Sequence, residues 1–497
     1  MIRHLLAAIA LAFALVSSAC GPGNRDNSCS GGSDCMGSCN PGANRECYTG
    51  QPQTKGVGPC HAGMQSCTSA GMWGDCMGEV IPLPEICGDN IDNNCNGMVD
   101  EDIDADGDGY TTCAGHDCCD STECSNPAEV NPGAYDYPGD GVDNDCDGMV
   151  DNAPLLCDQA LSSGSSNAAD YAKAMEICQT TTMADPLRHW GLIDAKLTLA
   201  DGTGTPSSDS FAIRPRFGSG TMPQGGVSVA VISTGGAAAK GDTNPPYKPF
   251  VSDSTGTSSP IPADFLAANG GMLPNAPGCP PPIDSMANDP VMLTFTIRVP
   301  TNAHAFTLKV NFFSAEFPEF TCTEFNDFFV VLLDSAYAGS PANPTDKNLA
   351  FYQQPSTMKN YPVGVNLAFG NTGLFTQCIN GSTGCAGGVA GTISTCSSTM
   401  NLTATGFDDP ASGECDTNSL LGGATGWLTT TGNVKPGEIM KLRIAIWDTS
   451  DELYDSLAVV DDFQWLADPS TPGTVIQRVG APAPLADPRV QVSSTFE

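Results

Sequence analysis

The stretch VMLTFTIRVPTNAHAFTLKVNFF, residues 291–313, contains two runs in which apolar side chains alternate with more polar ones. A period of two residues is typical of a strand that buries one face. Runs of the same kind occur at VSVAVIS (227–233) and KLRIAIW (441–447), and long loops rich in Gly, Pro, Ser and Thr separate them. This pattern indicates an all-β region, and we expect a β-sandwich over residues 186–468.

The rest of the chain differs from this region in composition. Residues 168–177 have helical composition, whereas the segment before them is rich in Gly, Cys and Asp and poor in aliphatic residues. Ions and disulfides must supply order where a core cannot form. We therefore expect a mainly β chain, in which a small, disulfide-rich, loop-dominated metal-binding region precedes the sandwich. The other expected segments are a signal peptide at 1–19, a flexible tether at 20–45, a small Cys-rich unit at 46–80, an acidic repeat unit at 81–153, a helical connector at 154–185 and a Pro/Ala-rich tail at 469–497.

The N-terminus is typical of an exported chain. The apolar run 5–16 follows Arg3 and is shorter than the about 20 residues that span a bilayer. It ends in Ser17-Ser18-Ala19-Cys20-Gly21, which resembles a bacterial lipoprotein cleavage site, although such sites usually have an aliphatic residue where Ser17 stands. The resemblance implies a lipid on Cys20, membrane attachment through that lipid, and a place on the outer membrane or cell surface of a Gram-negative bacterium. Ordinary signal cleavage nearby is the alternative.

The charge is strongly acidic and unevenly placed. The net charge is −36 at pH 7, which repels nucleic acid and anionic lipid, so we expect no nucleic-acid partner. No Lys or Arg occurs in residues 56–172, and residues 85–151 alone contain 19 Asp and Glu. With no basic side chain nearby in the sequence, a bound cation is the expected counter-charge.

The cysteine count predicts disulfides. The chain has 23 Cys, and 22 remain when Cys20 is set aside. Sixteen of them lie within residues 29–178 and six within residues 279–415. Dense cysteines in even number are typical of exported proteins with a disulfide framework, and the sequence leaves the connectivity open.

The acidic unit contains three loops with the spacing of calcium ligands. Calcium takes six to eight oxygen ligands, and a loop with Asp or Asn at alternate positions followed by a turn-forming Gly meets that need. We expect calcium as the probable cofactor, with the Asn-diluted first loop binding more weakly. The predicted metal ligands are Asp92, Asn94, Asn96 and Asp100 in the first loop, Asp104, Asp106 and Asp108 in the second, and Asp143, Asp145, Asp147 and Asp151 in the third.

None of these loops is an EF-hand, because the twelfth residue is not acidic in any of them. A closing ligand must come from elsewhere, and Asp117 and Asp120 are the candidates. Two alternatives stay open: a solvated acidic spacer without metal, and copper or another transition metal, for which His116 is the unit's only imidazole.

The acidic unit resembles a known repeat. Residues 92–100 (DNNCNGMVD) return 51 positions later as residues 143–151 (DNDCDGMVD), with DADGDGY and NPGA between them. These motifs, together with the Cys-rich segment before them, resemble the metal-binding motif repeat of myxobacterial and related surface lipoproteins over about residues 46–153. The resemblance implies a surface lipoprotein that binds metal. The chain departs from that repeat at Cys118-Cys119-Asp120, where the family usually reads Asp-Cys-Asp-Asp.

The β-rich region resembles a second family. The signature blocks are NFFSAEFPEF (311–320) with EFNDFF (324–329), and GATGW (423–427) leading through IAIWD (444–448) and YDS (454–456) to DDFQW (461–465). They resemble the choice-of-anchor L domain of bacterial surface proteins. The resemblance implies an extracellular β-sandwich with no established catalysis and a surface anchor that varies among members.

The ends of the predicted strands carry further oxygen ligands. A second metal site there would use Asn326, Asp327, Asp448, Asp451 and Asp455, because ligands from adjacent strand ends can converge on one cation. The alternative is turn chemistry, in which Asp and Asn bind their own backbone. Of the carboxylate pairs, Glu316 and Asp327 are the least unsuitable for glycoside hydrolysis, but we assign no catalytic residue.

These observations together favour a non-catalytic surface lipoprotein. A calcium-stiffened stalk would present the sandwich for adhesion or for envelope or matrix organisation, with an extracellular glycan or surface protein as partner. The alternatives are an exported glycan-acting hydrolase and a metal-scavenging surface protein.

Overall fold

The computed structural model describes residues 39–83, 85–120, 126–152, 155–251, 254–282, 286–369, 372–379, 384, 396–409 and 422–476. The predicted signal peptide, Cys20 and most of the predicted tether lie outside the described residues. The chain divides into two compact units between Glu101 and Asp102, which is inside the predicted acidic unit 81–153.

The first unit has little regular structure and is held by disulfides. Strands β1 (Asn44–Cys47) and β2 (Gly63–Ser66) form an antiparallel pair, and one turn of 3-10 helix covers Pro52–Thr54. Disulfides join the loops, among them Cys39–Cys67, Cys47–Cys76 and Cys60–Cys95. Disulfides replace the apolar core that this composition cannot supply.

The second unit contains the sandwich and the rest of the acidic segment. Its helices are α1 (Ala168–Lys173) and α2 (Ala263–Ala268), with 3-10 turns at Pro127–Glu129, Val365–Ala368 and Met400–Leu402. Its strands are β3 (Gly191–Thr198), β4 (Phe211–Arg214), β5 (Val229–Ser233), β6 (Ser258–Pro260), β7 (Met286–Arg298), β8 (Ala305–Ser314), β9 (Phe328–Asp334), β10 (Phe351–Gln354), β11 (Lys359–Pro362), β12 (Gly423–Asn433), β13 (Ile439–Asp448), β14 (Ser456–Leu466) and β15 (Gly473–Ile476).

Two antiparallel sheets form the sandwich. The six-stranded sheet has the order β15-β12-β8-β14-β5-β4, and the five-stranded sheet has the order β3-β7-β13-β9, with β6 also paired to β7. Strands β10 and β11 form a separate hairpin. The alternating runs at 227–233, 291–299, 306–313 and 441–447 lie on β5, β7, β8 and β13, so the mainly β prediction is confirmed.

The core explains why these runs alternate. On β13, Leu442, Ile444 and Ile446 face the space between the sheets, whereas Ala445 and Trp447 face outward. The outward face is shielded from solvent. Trp447 stacks on Phe328 with ring centroids 5.6 Å apart, and both side chains are fully buried. The long loops that separate the strands therefore cover the outer faces of the sheets as well as connecting them.

The structure differs from the sequence prediction at three boundaries. Strand β15 lies beyond residue 468, inside the predicted tail, where it pairs with the edge of β12. Strand β1 begins inside the predicted tether. Helix α1 ends at Lys173 rather than continuing to residue 177, because Glu176 adopts a left-handed conformation with φ of 63°. Among the described residues, no helix has the length and apolar character needed to cross a membrane.

The acidic segment after Asp102 packs on the sandwich through Asn302. This side chain is buried; its Oδ1 accepts from the Tyr135 amide at 2.8 Å, and its Nδ2 donates to the Tyr135 carbonyl at 2.9 Å. Nearby, the Thr301 hydroxyl donates to Asn131 Oδ1 at 2.7 Å, and the Tyr135 ring meets Trp190 edge-on. Residues 126–152 are therefore fixed to the domain that follows them.

Candidate metal sites

The second acidic loop is wrapped around its own carboxylates. Both oxygens of Asp104 accept backbone amides, from Gly107 at 2.7 Å and from Gly109 at 3.0 Å. Gly107 and Gly109 have φ of 84° and 91°, a conformation that side chains with a Cβ rarely adopt. The alternation of Asp and Gly thus turns the chain tightly enough to place Asp104, Asp106 and Asp108 together, with ligand atoms within 4.8 Å of one another.

Asp106 belongs to a second cluster at the same place. Its carboxylate also lies within 4.8 Å of Asp117 and Asp120, so two sets of three carboxylates share Asp106. One oxygen of Asp106 and one of Asp117 are buried with no hydrogen-bond partner among the described residues. Burial raises the pKa of Asp117 to about 7 and raises that of Asp106. Both residues that the sequence offered as closing ligands are therefore placed at the second loop.

The third loop brings its carboxylates together in the same way. Asp143, Asp145 and Asp147 have ligand atoms within 4.8 Å of one another. The two oxygens of Asp143 accept the amides of Asp147 at 3.2 Å and Gly148 at 3.0 Å. Burial, followed by the neighbouring Asp147 charge, raises the pKa of Asp145 to about 6.

The first loop has the same backbone path but different side-chain partners. Asp92 accepts the amides of Asn96 and Gly97, each at 3.0 Å. The side-chain amides of Asn94 and Asn96 both donate to Glu101 Oε1. Glu101 was not among the predicted ligands, and it supplies this loop with the negative charge that its two asparagines lack.

The 51-residue repeat extends to hydrogen bonds outside the motif. The Gly88 and Asn90 amides donate to Asp100, and the Gly139 and Gly141 amides donate to Asp151 in the same way. The Asn93 amide donates to Glu85, just as that of Asn144 donates to Asp136. Asp100 and Asp151 therefore close their loops on backbone amides, and the residues that match across the repeat are Glu85, Gly88, Asp92 and Asp100 with Asp136, Gly139, Asp143 and Asp151.

Disulfides and one arginine complete the acidic segment. Cys95 of the first loop is bonded to Cys60, and Cys146 of the third loop is bonded to Cys118, beside Asp117. The Arg188 guanidinium donates to the Gly109 carbonyl at 2.7 Å and stacks over the Tyr110 ring at 4.2 Å. No basic side chain lies near the second loop along the sequence, but the fold brings Arg188 to its edge.

The strand ends of the sandwich gather a different set of carboxylates. Asp327 directly precedes β9, Asp448 is the last residue of β13, and Asp455 directly precedes β14. The Asp327 and Asp455 carboxylates both act on the pKa of Asp448, and Glu316, just after β8, accepts the Asp327 amide at 3.4 Å. The sequence thus correctly placed these aspartates near one another and missed Glu316 as a member of the group.

Two of the predicted ligands accept backbone amides. Asp451 accepts the Leu453 amide at 3.2 Å, which is a turn contact of the kind that competes with metal binding. The Asn326 side-chain oxygen accepts the Asn366 amide at 3.2 Å, from a segment 40 residues further along the chain. Asp451 is half-buried, and its charge still raises the pKa values of Glu316 and Asp327.

The strand-end carboxylates are withdrawn from water. Glu316, Asp327, Asp448 and Asp455 are each at most 2% exposed. Burial raises the pKa of Glu316 and Asp448 well above their ordinary range and raises that of Asp327 to about 8. The neighbours that shift these values are carboxyls, hydroxyls and backbone amides. A pair such as Glu316 and Asp327 is also out of reach of a polysaccharide chain.

A third acidic group was not anticipated from the sequence. Asp158 accepts the Val227 and Ser228 amides, Asp461 accepts those of Gln224 and Gly225, and Glu176 accepts that of Asp462. Burial, then the neighbouring Asp461, Asp462 and Asp158 charges, raises the pKa of Glu176 to about 9. These residues are far apart in the sequence, and no spacing could have linked them.

A shallow polar cleft lies elsewhere on the sandwich. Its volume is 230 Å³, and its lining combines side-chain amides, prolines, one carboxylate and one aromatic ring. The lining residues are Asn269, Pro274, Asn275, Pro344, Asp346, Asn348, Phe351, Asn360 and Pro362.

Comparison with known families agrees with the two halves of the chain. Residues 231–461 match the choice-of-anchor L domain, and residues 83–101 and 125–152 match the family described as "Putative metal-binding motif", whose label refers to copper binding in MopE. The second loop, which carries Asp106, lies between the two matched pieces. No curated protein and no solved structure matches the chain. The two matches suggest a surface-associated protein. The chain carries a MopE-type metal-binding motif followed by a choice-of-anchor L domain.

Proposed function

We propose that this protein is a non-catalytic cell-surface lipoprotein in which calcium orders the acidic segment and the sandwich is presented for adhesion or for envelope or matrix organisation. The observation that carries the proposal is the arrangement around Asp106. Its carboxylate lies within 4.8 Å of two carboxylates of its own loop and within 4.8 Å of Asp117 and Asp120. Carboxylates gathered at this distance repel one another unless a cation lies among them.

Calcium fits these ligands better than a transition metal does. The clusters at the second and third loops consist of carboxylates, and hard oxygen ligands suit calcium, whereas copper prefers imidazole or sulfur. His116, the imidazole nearest in sequence, is exposed and is not a member of either cluster. The cysteines at the loops are bound in disulfides and offer no thiolate.

The fold changes how a stiff acidic segment would act. Residues 126–152 are fixed on the sandwich through Asn302, so metal bound at the second and third loops would brace one side of that domain. A stalk role then falls to the first unit, up to Glu101, whose loops are held by disulfides and by the first acidic loop. A lipid on Cys20 would anchor that unit to the membrane.

The non-catalytic part of the proposal draws support from burial. The carboxylate pair that the sequence offers for hydrolysis, Glu316 with Asp327, is inside the domain. The exposed feature that suits a ligand is the polar cleft, where asparagine amides and the Phe351 ring could bind a sugar by hydrogen bonds and stacking. An extracellular glycan is therefore the partner class to test first.

The test of the metal assignment is competition on the purified full chain. The chain is stripped with a chelator and titrated with calcium, magnesium and copper, and the same titrations are run on Asp106→Asn and on His116→Ala. We expect calcium binding that Asp106→Asn weakens and His116→Ala leaves unchanged. Tight copper uptake that His116→Ala abolishes would instead support metal scavenging.

The adhesion part has its own test. Glycan-array binding of the full chain is compared with that of Phe351→Ala and of Asp194→Asn, a change at an exposed residue of β3. Binding without turnover, lost only in Phe351→Ala, supports a glycan adhesin. Cleavage of a bound glycan would favour the hydrolase alternative.

A further inference from the structure

The strand-end carboxylates occupy a position that connects the two sheets. Asp327 and Asp448 lie at the ends of β9 and β13, which are neighbours in the five-stranded sheet. Glu316 and Asp455 flank β8 and β14, which are neighbours in the six-stranded sheet. The four carboxylates thus come from four strands, two in each sheet, at one end of the sandwich.

Their burial requires a compensating positive charge or protons. Each is at most 2% exposed, and taking an isolated carboxylate out of water costs several kcal/mol even after the protein relaxes. Neutral donors offset part of this cost. Asp327 accepts the Ser456 hydroxyl at 2.6 Å and the Thr449 amide, and Glu316 accepts the Asp327 amide.

Asp448 gives the strongest indication that the strand-end carboxylates bind a cation. It is fully buried, and neither of its carboxylate oxygens accepts a hydrogen bond of normal geometry among the described residues. The groups beside it are the Thr234 hydroxyl and the Asp327 and Asp455 carboxyls. A buried carboxylate directed toward other carboxylates is unfavourable unless a cation is shared among them.

We propose that Glu316, Asp327, Asp448 and Asp455 hold a calcium ion that ties the two sheets together at this end of the sandwich. The ligand atoms on offer are carboxylate and hydroxyl oxygens, which is the set that calcium prefers. Magnesium would need to keep several waters, for which a site this deeply buried offers little room. This ion is separate from those of the acidic segment and does not depend on them.

The gap between the ligands sets one condition on the site. Among the described residues, every set of three acidic ligand atoms within 4.8 Å of one another lies in the acidic segment, and none lies at the strand ends. A cation at the strand ends must therefore draw its carboxylates together by side-chain rotation. Gly235 accommodates Asp455 in its present position, since a Cβ there would lie 2.1 Å from Asp455 Oδ2.

An isosteric substitution separates a cation from protons. Asp448→Asn keeps the shape of the side chain and removes its charge. If calcium is bound, Asp448→Asn loses about one calcium per chain, by metal analysis after dialysis, and its melting temperature in calcium falls by several degrees relative to the unchanged chain. If the carboxyls are simply protonated, Asp448→Asn keeps its calcium and is equally stable or more stable, which overturns the proposal.

Two further variants keep the result specific. Asp194→Asn, at an exposed position of β3, serves as the surface control and should behave as the unchanged chain does. Asp106→Asn combined with Asp145→Asn removes ligands of the acidic segment and should leave the strand-end calcium in place, so failure of the acidic-segment proposal and of this one are told apart. If Asp448→Asn does not fold, anomalous diffraction from calcium-saturated crystals of the unchanged chain decides: a peak among the four carboxylates supports the site, and its absence refutes it.

Discussion

The Asp106 and Asp117 carboxylates approach within 4.8 Å of each other, and each keeps one oxygen buried with no hydrogen-bond partner in the described part of the chain. Asp106 comes from the Asp-Gly loop and Asp117 from the segment before Cys118, which a disulfide ties to the third loop. The pairing joins two loops that the sequence shows only as neighbours. It makes Asp106 the residue whose loss should matter most to metal binding in the acidic segment.

We expect Asp106→Asn to weaken calcium binding at the second loop by at least about tenfold, equivalent to about 1.4 kcal/mol. The reason is that Asp106 contributes to both carboxylate clusters, whereas Asp92 in the first loop accepts two backbone amides. Calorimetric titration of Asp106→Asn and of Asp92→Asn measures the difference in calcium affinity. Equal losses for Asp106→Asn and Asp92→Asn would contradict the ranking of the loops.

The disulfide between Cys118 and Cys146 should support both stability and metal binding. It holds the segment of Asp117 against the third loop, and closing a loop of this size stabilises a fold by about 3 kcal/mol in the chain-entropy view. The double variant Cys118→Ser/Cys146→Ser should therefore melt earlier and bind calcium more weakly. Denaturant unfolding with and without calcium checks both effects, and an unchanged calcium affinity would show that the disulfide does not position the ligands.

The Asn302 side chain should be worth about 2 kcal/mol to the packing of the acidic segment on the sandwich. It is buried and makes two hydrogen bonds to the backbone of Tyr135, so Asn302→Ala leaves both backbone groups without their partner. Hydrogen exchange should then rise in residues 126–152 and stay the same in the sheet core. The exposed Asn360→Ala is the matched control. Unchanged exchange in Asn302→Ala would mean that the Tyr135–Trp190 ring contact suffices.

The pKa of Glu176 predicts a pH dependence of opposite sign to the usual carboxylate. Its pKa is raised from 4.5 to about 9 in the folded state, so the folded chain holds a proton that the unfolded chain has lost. The stability contributed by this group is full below about pH 4.5 and is lost as the pH rises toward about 9. The unchanged chain should lose more stability than Glu176→Gln does between pH 6 and pH 9 in denaturant unfolding. Parallel curves would show that Glu176 is ionised in the folded state.

The sequence predicted the central strands of the sheets better than the edge strand β15 and the end of helix α1. Alternation identified the segments of β5, β7, β8 and β13, because each of them buries one side chain in two against the opposite sheet. Strand β15 was not predicted, since its pairing with the edge of β12 is a tertiary contact in a segment with the composition of a tail. The early end of α1 was likewise not predicted; Glu176, just beyond it, has a left-handed conformation and accepts the Asp462 amide from a distant strand.

The candidate metal ligands likewise divide into those that local spacing predicts and those that the fold brings together. Local spacing found the Asp104, Asp106 and Asp108 set and the Asp143, Asp145 and Asp147 set, because a tight Gly turn brings alternate residues together. Glu101 was missed, although its place just after the motif is a signal that could have been used. Glu316 was considered only as a hydrolytic partner of Asp327 and not as a metal ligand, because it reaches the strand-end group through the fold. Arg188 shows the converse, since a basic side chain absent from the sequence neighbourhood reaches Gly109 through the fold.

Calcium titration of the chelator-stripped full chain, compared with Asp106→Asn/Asp145→Asn, tests the central claim most directly. We expect the unchanged chain to show saturable binding at concentrations below about 1 mM, in the range of calcium sites with several carboxylate ligands. The double variant should lose the part of that binding which belongs to the acidic segment. An unchanged chain that binds no calcium below about 1 mM, or a double variant that binds as much as the unchanged chain, would contradict the account.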